Sequence, residues 1–217
     1  VIDGLRANGY SLNSKLIKNY MSWITHPNQT IDESVWGEWP ISYPEKDLTE
    51  EEVKDAKDNS DIAIITIGRV LGEALDNNLG DGNYYLTDIE KQLIENVIKY
   101  FSDVVLIINT GNPFDMEYID GKKDKIKGIL LDFYGGMEGG NSLGDILAGT
   151  ANPSGKLPMA IAKKYEDYPS SCKECWGDYG EYSATSKNYS LYKENIYVGY
   201  RYFVTFDNSK VLYPFGF

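Results

Sequence analysis

Histidine is nearly absent from this chain. The 217 residues contain one, His26, and only two cysteines, Cys172 and Cys175 in "SCKECWGD". One imidazole removes most histidine-based acid–base chemistry and most zinc chemistry. Two thiols are too few for a disulfide scaffold, and with no second pair they do not complete a zinc site. A positive surface is also missing: Lys and Arg number 21 against 33 Asp and Glu, a net charge of -12. Nucleic-acid partners need clustered basic residues, so they are not expected. No run is long and apolar enough to cross a membrane. The start, "VIDGLRANGYSLNSKL", has neither the basic and apolar regions of a signal peptide nor an initiator Met. The expectation is an internal piece of a longer, cytoplasmic protein, and its acids are too scattered for an acidic tail.

What is present alternates between two periods. "SLNSKLIKNYMSWI" places Leu16, Ile17 and Tyr20 at helical spacing, and Thr49 before three glutamates marks a second helix start. "DIAIITIG", "DVVLIINTG" and "IKGILLDFYGG" read as short strands buried on both faces. Between the first two, "YLTDIEKQLIENVIKYF" is a helix opened by a Thr87/Glu90 capping box, with Ile89, Leu93, Val97 and Phe101 on one face. "GGNSLGDILAG" reads as a helix ended by Gly149, and "KLPMAIA" as a fourth strand. The fold class is α/β, a mostly parallel sheet sandwiched between helices, with its core at about 50–162. Residues 163–217 read as a loop-rich, tyrosine-rich extension, in which "IYVGYRYF" is strand-like and Tyr197, Tyr200 and Arg201 serve packing or interdomain contacts.

Ligands of open α/β sheets bind beyond the carboxyl ends of the strands. Two loops leave such ends: 68–86, carrying Arg69, Glu73 and Asp76, and "GGMEGG" after the third strand. Three chemistries fit these residues. "GGMEGGNS" could cradle a phosphate, although it is neither a dinucleotide fingerprint nor a Walker loop. "GDGN" and the scattered acids could bind a divalent cation, although the EF-hand spacing is absent. Glu73 could be a working carboxyl presented to something outside the domain. A free-standing nucleotide- or flavin-binding domain is a further alternative, which lacks its phosphate fingerprint.

Several motifs in order resemble the C-terminal α/β domain of family 3 glycoside hydrolases, the β-glucosidase and β-xylosidase family. "VIDGLRANGYSLN" is similar to that domain's opening. "GRVLGEALDNN" is similar to its G-R-x-S-G-E-G-x-D-R loop, with Leu71, Ala74 and Asn77 departing from it. "YGGMEGGNSLGDILAGTANPSGKLPMAI" matches its most recognisable block, and "YKENIYVGYRYFVTFDNSKVLYPFGF" its close. The resemblance implies retaining hydrolysis of β-glycosidic bonds, with no cofactor and no metal. It implies a barrel domain, absent here, that supplies the nucleophile. It also implies that Glu73 is the acid/base, with Asp76 and Arg69 shaping the loop or lining a substrate pocket. Leu71, Ala74 and Leu75 would then help push the Glu73 carboxyl upward. The partners implied are a β-linked oligosaccharide or glycoside and the barrel of the same enzyme. Residues 1–217 form one domain that is inactive alone. The competing reading keeps the fold and makes the domain structural or sugar-binding, with the acid elsewhere.

Overall fold

A computed structural model describes residues 1–26, 43–70, 79–171 and 194–217. Packing divides them into two compact units, Val1–Phe114 with Lys122–Pro153, and Asp115–Gly121 with Ser154–Phe217. The first change of unit thus falls at Phe114 and the last at Pro153, ahead of the core boundary near residue 162 read from the sequence.

The larger unit begins with helices α1 (Ile2–Ala7), α2 (Ser14–Ile24) and α3 (Glu50–Asp58). Asn13 caps α2 by accepting from the Leu16 N–H at 3.0 Å. Thr49 and Glu52 form a reciprocal capping box on α3, which satisfies two backbone donors that the first turn would otherwise leave open. Strand β1 (Ala63–Gly68), helix α4 (Asp88–Tyr100), strand β2 (Val104–Asn109) and strand β3 (Ile126–Asp132) follow. The sheet is parallel in the order β1-β2-β3, with Ile65 opposite Leu106 and Leu106 opposite Ile129.

Only the central strand is buried on both faces. Val104, Leu106, Ile107 and Ile108 of β2 have no measurable exposure. Thr66 and Gly68 of β1 and Lys127 of β3 are exposed, because β1 and β3 are the outer strands of this sheet. The expectation of strands buried on both faces therefore holds for β2 and is corrected for its neighbours.

Helix α4 buries Leu93, Ile94 and Val97, with Phe101 at its C-cap, as its periodicity predicts. Each such burial contributes about 1.5–3 kcal/mol. Ile89 departs from the stripe and is 40% exposed, while Glu90 is buried at 4%. The glutamate is drawn inward by an arginine, described below, and its neighbour turns to solvent.

Helix α6 (Gly139–Ala148) closes this unit, ending at Gly149 with φ 74°, as expected of a left-handed cap. It lies against α1 at backbone distance. A β-carbon on Gly4 would strike the Gly140 carbonyl and come 2.9 Å from the Asn141 α-carbon, and one on Gly144 would strike the Gly4 backbone. Backbone cannot swing aside as a side chain can. Gly4→Ala should therefore cost about 1–3 kcal/mol or more, seen as a lower thermal midpoint. Gly155→Ala, where nothing lies within 4 Å, is the control, and equal effects from the two would refute the packing argument.

The smaller unit holds helix α5 (Glu117–Asp120), strand β4 (Ile161–Ala162), helix α7 (Tyr200–Phe206) and strand β5 (Val211–Tyr213). Two sequence expectations are corrected here. "KLPMAIA" contributes only its last two residues as strand, and they pair antiparallel with β5 in a separate sheet; Pro158 has no N–H to extend the ladder. The "strand-like" aromatic run is helical from Tyr200. Its aromatics fall at spacings of three and four: Tyr202 meets Phe206 at 5.3 Å, and Phe203 is buried against Tyr168. Tyr197 packs on Phe206 and Tyr200 stacks on Phe215. No helix among the described residues is long and apolar enough to cross a membrane.

Candidate active site

The chain leaves β1 through Gly68 and Arg69. Arg69 is 3% exposed, and a buried guanidinium demands partners for five N–H groups. All five are satisfied. Two go to Glu90, at 2.7 and 2.8 Å, as a fork onto both carboxylate oxygens. The others go to the carbonyls of Asn83 (3.0 Å), Tyr85 (3.2 Å) and Gly68 (2.8 Å). Its face lies 5.2 Å from the centre of the Phe114 ring, within range of a cation–π attraction. Glu90 also accepts from the Thr87 N–H at 2.8 Å and completes the α4 capping box. One carboxylate thus caps a helix and neutralises the arginine.

These bonds join the two ends of segment 70–82. Arg69 stands where the chain leaves the sheet, and Asn83, Tyr85, Thr87 and Glu90 stand where it returns. Beside this junction lies a cleft of about 520 Å³, walled by Tyr43, Glu45, Gly68, Arg69, Asn109 and Tyr134 among others. It opens at the carboxyl ends of β1 and β2, where open parallel sheets place their ligands. Asn109 ends β2. Its carbonyl accepts from the Arg69 N–H at 2.9 Å, and its buried side-chain oxygen Oδ1 has no hydrogen-bond partner among the described residues. Tyr134, just past β3, donates its hydroxyl to the Arg69 carbonyl at 3.0 Å.

Glu45 arrives from the segment before α3. One of its oxygens accepts from the Tyr20 hydroxyl at 3.0 Å and from the Lys46 N–H at 2.8 Å. Burial is the largest influence on its carboxyl and holds it above the ordinary carboxylate range, against the opposing pull of these two bonds. Burial also raises the Tyr20 phenol, reinforced by the Glu45 charge. A carboxyl raised on folding stabilises the fold fully below its unfolded value and loses that contribution as pH rises through the folded one. Glu45→Gln should therefore melt above wild type at about pH 7, with the advantage gone by about pH 4. Parallel melting curves across that range would refute it.

The profile of the glycosyl hydrolase family 3 C-terminal domain fits residues 3–200. The chain belongs to that family. A β-glucosidase of Ruminococcus albus is 36% identical over 217 residues, which are 100% of this chain and 22% of the relative. Among solved structures, a β-glucosidase from Paenibacillus barengoltzii is similar with TM-score 0.89 and 40% identity, over 100% of this chain and 23% of that one. β-Glucosidase 3B from Thermotoga neapolitana, in complex with glucose, gives TM-score 0.81 at 31% identity, over 100% and 30%. The chain spans about a quarter of the length of these relatives.

Of the sequence-derived site residues in this family 3 domain, Arg69 lies in the cleft wall with its guanidinium bonded throughout to the protein. Glu73 and Asp76 lie outside the described residues, as do Cys172 and Cys175. Asn109, Tyr134 and Glu45 were not singled out from the sequence. A signal existed for Asn109, the polar residue closing an otherwise apolar strand at its carboxyl end. Glu45, in a proline-flanked loop far from the strands in sequence, offered none.

Proposed function

We propose that this domain supplies Glu73 as the general acid/base for retaining hydrolysis of terminal β-glycosidic bonds by a longer enzyme, whose barrel domain supplies the nucleophile. The observation that carries this reading is the junction at Arg69. Both ends of segment 70–82 are tied by one guanidinium beside a cleft at the strand ends, and a carboxyl that must reach another domain needs such a fixed base. The relatives described above are all β-glucosidases, which supports the reaction class.

Glu73 first gives its proton to the glycosidic oxygen as the barrel's nucleophile attacks the anomeric carbon, so the alcohol leaves neutral. The resulting carboxylate then takes a proton from water, which displaces the nucleophile and restores the starting configuration. Retention requires the two carboxyl groups to be about 5–5.5 Å apart. Residues 1–217 then act as one part of a composite site and are inactive alone.

Asn109 Oδ1, without a partner among the described residues, favours a second reading, in which the cleft accepts a sugar hydroxyl and the acid lies elsewhere. Azide separates the two. With Glu73→Ala in the full-length enzyme, azide should restore turnover of an activated aryl β-glucoside and yield a β-glycosyl azide, because azide attacks the glycosyl-enzyme without base assistance. No rescue and no azide adduct would remove Glu73 from the chemistry.

A further inference from the structure

We infer that Tyr134 is a positioning residue for the acid/base loop, an inference that rests on the reading of Glu73 given above. Its backbone has φ 58°, a left-handed conformation that bulky side chains rarely adopt. Such a conformation persists where surrounding contacts enforce it, and two contacts do so here. The Tyr134 ring lies over Gly111 so closely that a β-carbon on residue 111 would come within 2.6 Å of it. The Tyr134 hydroxyl donates to the Arg69 carbonyl at 3.0 Å.

That carbonyl is the last free handle on residue 69. The Arg69 N–H is bonded to the Asn109 carbonyl, and the guanidinium is bonded to Glu90 and to the returning chain. The tyrosine fixes the remaining direction, the orientation of the peptide that leads from residue 69 to residue 70. Glu73 is four residues from this point. A tilt of the peptide at its root changes the direction in which the chain sets out toward residue 73, and a misplacement of about 1 Å at a catalytic group can cost about 10²-fold. Tyr134 is 45% exposed, so its hydroxyl can be removed with little loss of burial.

The test uses the full-length enzyme with Tyr134→Phe, Gly111→Ala and Glu73→Ala, each assayed on an alkyl β-glucoside and on an activated aryl β-glucoside. Tyr134→Phe should lower kcat on the alkyl substrate about 10- to 100-fold. The aryl substrate, KM and the thermal midpoint should be nearly unchanged. Gly111→Ala, which pushes the ring off its seat, should show the same bias. Equal losses on both substrates, or none on either, with Tyr134→Phe would overturn the inference. A Glu73→Ala enzyme without leaving-group bias would overturn the acid/base reading and this inference with it. A biased Glu73→Ala beside an unbiased Tyr134→Phe overturns this inference alone.

Discussion

With Glu73 replaced by alanine, the full-length enzyme is expected to lose about 10²- to 10⁴-fold of its turnover on an alkyl β-glucoside. An activated aryl β-glucoside should suffer far less in the bond-breaking step. An alkoxide is a strong base and leaves only as its proton arrives, so the alkyl substrate depends on the acid in full. A nitrophenolate carries its own charge and departs unassisted. The deficit should therefore grow with the basicity of the leaving group, and a plot of log kcat/KM against leaving-group pKa should steepen in the variant. Equal slopes for variant and wild type would make Glu73 a spectator and move this domain's role to shaping the pocket.

The second large effect is on stability. Glu90→Ala should destabilise by about 3–5 kcal/mol, because it leaves the Arg69 charge buried without its partner. Against a total of about 5–15 kcal/mol for a typical domain, that loss is severe. Glu90 also completes the α4 capping box from the third helical position, which accounts for about 0.3–1.5 kcal/mol of the loss. Glu90→Gln separates the two contributions, since its amide oxygen can still accept from the Thr87 N–H while the negative charge is gone. The double variant Arg69→Met with Glu90→Leu removes both charges and should recover much of the single variant's loss. Thermal unfolding of the four proteins reads the order directly. A double variant no more stable than Glu90→Ala would show that the charge pairing is not the source of the cost.

The fold was legible wherever local chemistry and tertiary packing agree. Thr49 and Thr87 announce helix starts because a side-chain oxygen meets open N–H groups within three residues. Gly149 announces a helix end because a left-handed residue is needed there. β2 is legible as an apolar run because a central parallel strand has no solvent face. Failures arise where distance along the chain hides the partner. Ile89 belongs to an apolar stripe by spacing, yet Glu90 takes the inward position because Arg69, 21 residues earlier, holds it there. Aromatic residues at 197–206 favour strand by propensity and helix by spacing, and packing around Phe203 decides for the helix. Helix α1 has no side-chain cap and a glycine in its middle, so its stability comes from α6, whose contact no local pattern shows. The candidate site is legible in part for the same reason. Residue 69 is marked by its place after a strand. The cleft that gathers Glu45, Asn109 and Tyr134 around it exists only once three distant segments meet.

Arg69 and its bonds to Asn83, Tyr85 and Glu90 hold the chain on either side of segment 70–82. Closing a loop whose ends are already held costs little more as the loop lengthens, about 0.6 kcal/mol per doubling. A longer chain between these two ends would therefore add little to the cost of closing the junction. The junction is a socket whose closure is nearly blind to the length of chain that it holds.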